Sequence, residues 1–215
     1  MTDPDPGLTG PPPGPPVSVF RLDPELLDPV LAGVADRRTS AALAEQVATV
    51  LPWHTTVPPE LAGQLTRLID HLGGDDALLR WLDEYPGRPR LVARAYRLVG
   101  LLDQISAAEP VLTALREFRE RTRYPPGLEG ILPPDTDSGT LASVAQQIEG
   151  LLADDRPDDA ASAALATIAM LREVAPRAAE LDPRHGALDL MLDQLRREIE
   201  AAQRYLRNAN EEGGR

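Results

Sequence analysis

The sequence predicts an all-α protein, a helical bundle of about eight or nine helices in two helical subdomains. Three observations predict it. Aromatic residues make up 4% of the chain and hydrophobic residues 42%, so Leu, Ala, Val and Ile must form the core. Leu and Ala are among the strongest helix formers. Apolar residues recur at helical spacing in run after run, between acid–proline openings and glycine or proline stops. No alternating β-branched run marks a strand.

The elements follow in order. Residues 1–19 are a Pro/Gly-rich arm whose PPPGPP stretch lacks backbone donors and favours a polyproline II course. It is expected to be a disordered, solvated tail, with an SH3-type ligand as the alternative. An N-terminal helical subdomain spans 20–123. It opens with "DPELLDPVLAGVA", where Asp23 is the cap, Pro24 the first helical residue and Glu25 a first-turn acid. Pro29 is expected to kink or restart that helix. "TSAALAEQVATVL" runs from Thr39 to Leu51 and stops at Pro52. "VPPELAGQLTRLIDHLGG" starts on proline and ends on Gly73-Gly74. "DDALLRWLDEYPG" follows, with Leu78 and Leu82 inward. "PRLVARAYRLVGLLDQISA" is the strongest amphipathic run, and "EPVLTALREFRERTRY" repeats the acid–proline start.

Residues 124–139, YPPGLEGILPPDTDSG, hold four Pro and three Gly without a period and mark a linker. Beyond it a C-terminal helical subdomain spans 140–209. It comprises "TLASVAQQIEGLLA", "PDDAASAALATIAMLREVA", and one long closing helix from "ELDPRHG" onward with Leu188, Met191, Leu192, Leu195 and Ile199 inward. Residues 210–215 are a flexible tail.

Between the first two helices of that half lies "LLADDRPDDAASAAL". Its aspartates suit a sharp corner, because paired acids and proline belong in a first helical turn. A metal would need oxygens converging on one point, and no metal ligand is assigned there. The corner resembles the turn of a tetratricopeptide hairpin, with Asp158, Asp159 and Ala160 opening the second helix and "AAELDPRH" at 178–185 resembling that family's helix end. The resemblance implies a helical protein-interaction scaffold.

Composition excludes much chemistry. There is no cysteine and, among 22 basic residues, no lysine, so thiolate catalysis, Schiff bases and lysine-bearing phosphate loops are all absent. Genome composition is the expected cause of the missing lysine, with selection against a modifiable amine as the alternative. His54, His71 and His185 lack metal-ligand spacing, and neither a nucleophile elbow nor a dinucleotide fingerprint occurs. No cofactor is expected. No apolar run reaches the roughly 20 residues of a membrane span, and the first residues do not read as a secretory signal. A net charge of −12 disfavours nucleic acid.

The charge is uneven. Residues 80–123 hold nine Arg against six acids, whereas residues 1–79 hold four against eleven and 124–215 hold nine against seventeen. Within the basic block Arg90, Arg94 and Arg97 form a stripe at i, i+4 and i+7, with Arg88 beside them. That stripe is the candidate site for an acidic partner or small anion, its alternative being a solvated face paired with Asp83, Glu84 or the acidic flanks. Trp81, off the Leu78/Leu82 stripe, is the candidate interface anchor. The expected function is a non-enzymatic adaptor or accessory protein of the bacterial cytoplasm. A regulatory domain for a small acidic ligand and a helical enzyme with an inter-subdomain cleft remain as alternatives.

Overall fold

A computed structural model describes residues 21–53, 59–121 and 138–213. These form nine α-helices: α1 (Pro24–Leu31), α2 (Arg37–Val50), α3 (Pro59–Leu72), α4 (Asp75–Asp83), α5 (Arg88–Ser106), α6 (Glu109–Arg121), α7 (Ser138–Ala153), α8 (Pro157–Leu181) and α9 (Leu188–Gly213). Short 3-10 turns at Leu51–Trp53 and Pro183–His185 complete the described secondary structure, which contains no strand. The predicted arm at 1–19 and nearly all of the linker lie outside the described residues.

Local chemistry explains the boundaries. Asp23 accepts a hydrogen bond from the Glu25 N–H at 2.9 Å, with Pro24 in the first turn. Asp36 caps α2 through the Thr39 N–H, so that helix starts two residues before Thr39. Gly33 and Gly73, at φ of 70° and 101°, end α1 and α3 in paired main-chain bonds. For α3 these run from Gly74 N–H to Ile69 C=O and from Gly73 N–H to Asp70 C=O, the bond pattern of a left-handed helix stop.

Four helices make an antiparallel bundle. The start of α5 meets the end of α7 through Arg88 and Leu152. Arg94 of α5 pairs with Glu198 of α9, and Arg172 of α8 pairs with Asp189 near the start of α9. The helices α5, α7, α8 and α9 thus close a ring in which each packs on its neighbours. Small residues make close approach possible, since α8 buries Ala160, Ala161, Ala163, Ala164, Ala175 and Ala178. The α6 axis turns 92° from α5 and lies against α8. At the other side α2 and α4 pack on α5, while α1 and α3 pack behind them. Buried side chains from α1 to α9 join one continuous core cluster.

The structure departs from expectation at several points. Pro29 lies inside α1, which continues to Leu31. Pro176 does not end α8, which runs to Leu181, because packing along α6, α7 and α9 holds the helix through the lost backbone bond. The expected single closing helix is broken at Asp182, whose carboxylate takes the Arg184 N–H at 3.0 Å. Met191, expected inward, is 49% exposed. The helix α9 extends through Gly213, past the expected frayed tail. Helix α5, from the first half of the chain, is a full member of the bundle formed by the second half.

Candidate functional site

The arginine stripe stands at the start of α5, and Gly87 sets its direction. Its φ of 88° belongs to the left-handed region that favours glycine, and the following Pro89 is buried in the first helical turn. Arg88 then points back across the bundle. Its side chain is 14% exposed, pairs with Asp155 and donates to the Leu152 C=O at 3.3 Å. A guanidinium there satisfies the Leu152 carbonyl at the end of α7 and suits the negative end of its dipole.

The other three arginines converge on Asp83, the last residue of α4. Arg90 donates Nε to the Asp83 C=O at 2.9 Å. Arg97 reaches Oδ2 at 2.7 Å. Arg94 stands between two carboxylates, with Nε 3.1 Å from Asp83 Oδ1 and a terminal nitrogen 2.7 Å from Glu198 Oε2. The first of these is a charge contact without hydrogen-bond alignment. Burial raises the Asp83 pKa, Arg94 and Arg97 pull it down, and Glu198 adds to the rise. With Asp83 only 11% exposed and Arg94 only 16%, Arg94 and Arg97 tie α4, α5 and α9 together, while Arg90 is exposed and bonded to a backbone carbonyl.

Trp81 is half-buried and meets Tyr85 edge-on, ring centres 5.5 Å apart at 71°. A cavity of about 430 Å³ lies beside Tyr85, lined by Ala35, Arg37, Ser40 and Glu84. The aspartates of the α7–α8 corner serve the fold. Asp155 stops α7 at φ 56°, Asp159 pairs with Arg156, and Asp158 faces Arg207 at 3.5 Å. Among the described residues no group of three or more His, Asp or Glu is arranged to hold a metal ion. Nor, among the described residues, is any single helix long and apolar enough to cross a membrane.

The surface that the sequence reading missed is the outward face of α9. This helix packs on α5 and α8, burying Leu188, Leu192, Leu195, Ile199 and Ala202. Outside that buried line Leu190 is 67% exposed, Met191 49% and Tyr205 49%. The signal was present in the spacing. Met191, Gln194, Ala201 and Tyr205 follow a second line, displaced from the buried one, and the adjacent buried Leu192 masked it. Leu181, at the end of α8, is 41% exposed.

Compared with family models, with curated proteins and with solved structures, the chain matches none.

Proposed function

We propose that this protein is a non-enzymatic helical adaptor or accessory subunit of the bacterial cytoplasm, and that the outward face of α9 carries its contact. The observation behind this reading is the placement of exposed apolar side chains. Leu190, Met191 and Tyr205 are exposed along one bundle helix, Tyr205 about 21 Å of helix rise beyond Met191, and a line of exposed apolar side chains along a helix supports a helical partner lying beside it. The arginines of α5, engaged with Asp83 and Glu198, are positioning groups for that helix in this reading.

The test is capture from native source-cell lysate with the full chain and a Met191→Asp/Tyr205→Asp variant. Recovery of a discrete protein by the wild type and its loss in an equally stable variant is the expected result. Identical recoveries, or none, would remove the adaptor reading. A second reading, a regulatory domain for a small acidic ligand, draws support from the cavity beside Tyr85. Arg37 lines it and forms no ion pair among the described residues. Calorimetry with small dicarboxylates and inorganic phosphate tests it, and heat lost in Arg37→Ala would favour it.

A further inference from the structure

The chemistry of the partner can be read from the α9 face, on the premise that the adaptor reading holds. From Ala187, just ahead of α9, exposed residues recur at Met191, Gln194, Ala201, Tyr205 and Asn208. The steps alternate between four and three residues, with Glu198 completing the interval between Gln194 and Ala201. Such alternation makes a straight seam for a second helix. Ala187 and Ala201 let a helix come close, Met191 adapts its shape to what it meets, and Tyr205 supplies an aromatic anchor. Beside the seam Leu190, Arg197 and Arg204 stand seven residues apart, forming its outer edge.

The charge of this edge is opposite to that of the molecule. The protein carries −12, yet the edge carries two exposed guanidinium groups, Arg197 and Arg204, ahead of the single acid Glu211 at its end. Glu198, in the seam itself, is turned to Arg94 of α5 at 2.7 Å and is thereby neutralised. Arg204 forms no ion pair among the described residues. Arg197, with its side chain 62% exposed, meets Asp193 at 2.8 Å. Asp193 also holds Arg172 and Arg196, so Arg197 can turn to another carboxylate without leaving an unpaired acid behind.

We infer that this face binds an amphipathic helix of another protein, with a heptad-spaced apolar seam and acidic residues seven apart opposite Arg197 and Arg204. Seven-residue spacing keeps side chains of two packed helices in register, and guanidinium–carboxylate pairs at the edge select the partner. Repulsion from the rest of the molecule is screened beyond about 8 Å at physiological salt, so contacts at the edge decide. A second copy packed antiparallel would set Arg197 against its own counterpart, which disfavours self-pairing.

The experiment uses the full chain and two helical peptides of about three heptads, both with Leu in the seam, one with Glu and one with Lys along the edges. Fluorescence anisotropy should give the Glu peptide at least about tenfold tighter binding than the Lys peptide, weakening with salt. Arg197→Glu/Arg204→Glu should abolish that preference at unchanged melting temperature, with Arg197→Ala/Arg204→Ala as the milder pair. Met191→Asp should weaken binding of the Glu peptide. Equal binding of the two peptides, preference for Lys, or no binding of Glu would overturn the inference. So would a wild-type dimer, seen by sedimentation, that Met191→Asp dissociates. If the Glu peptide fails while lysate capture still depends on Met191 and Tyr205, the acidic helix falls and the adaptor reading stands. Failure of capture removes the reading on which both rest.

Discussion

Asp155 adopts a left-handed φ of 56°, alone among the described non-glycine residues. It ends α7 where Gly33 and Gly73 end α1 and α3, and its carboxylate meets Arg88. Replacing it with Gly or Ala removes that contact equally, so the difference between these two variants reports the backbone. Ala should be less stable than Gly by about 1 kcal/mol, because a Cβ is costly in this region. Equal stabilities in chemical denaturation would contradict the assignment. A second contrast separates engaged from exposed arginines. Arg94→Ala leaves Asp83, 11% exposed, short of a partner and should cost about 1–3 kcal/mol. Arg197→Ala, at 62% exposure, should cost less than about 1 kcal/mol. The caps at Asp23 and Pro24 were legible because their partners lie within a turn. The pairing of Arg88 with Asp155 and of Arg94 with Glu198 was not, because those contacts exist only after the bundle has closed.

At the scale of elements, hydrophobic spacing located the helices and misjudged some ends. Pro176 reads as a stop, yet α8 passes through it on the exposed side, where tertiary packing outweighs local preference. Pro176→Ala restores one backbone bond at the cost of a more flexible unfolded chain, and should stabilise by about 1–2 kcal/mol. No change in the denaturation midpoint would mean that the helix is not strained there. The register of α9 is tested by neighbouring leucines. Leu192, fully buried, should lose about 2–5 kcal/mol on truncation to Ala. Leu190, 67% exposed, should lose less than about 0.5 kcal/mol. Comparable losses would place the seam wrongly. Spacing alone left Met191 ambiguous, since it stands beside Leu192 and only the positions of α5 and α8 decide which of the two faces inward.

For the whole molecule, the proline-rich segment at 124–139 suggested two subdomains, and the packing joins them through α5. Cleavage at a protease site placed within 124–137 should therefore leave the two fragments bound to each other in gel filtration, because neither retains the four bundle helices. Separate elution of two folded pieces would restore independent subdomains. Acid should destabilise the protein through carboxylates held below their usual range. Asp182 is brought to about 2 by its hydrogen bonds with Arg184, and Asp36, Glu117 and Asp193 are lowered by Thr39, Arg177 and Arg196. Their stabilising contribution is present above the unfolded values, 3.8 for the aspartates and 4.5 for Glu117, and is lost as pH falls through the lower folded values. Asp83 works in the opposite direction, since burial raises its pKa and protonation relieves that cost as pH falls through the raised value. The melting temperature should hold from pH 7 to 5 and drop below about pH 4; a level profile from pH 4 to 2 would contradict these pairings. The central claim, that α9 presents the docking surface, is tested most directly by a photo-crosslinking residue placed at Tyr205 in source cells. Val34, 77% exposed and far along the chain, serves as the control position. A discrete adduct with another protein from position 205, absent from position 34, is predicted. No adduct from 205, or the same adducts from both positions, would contradict it.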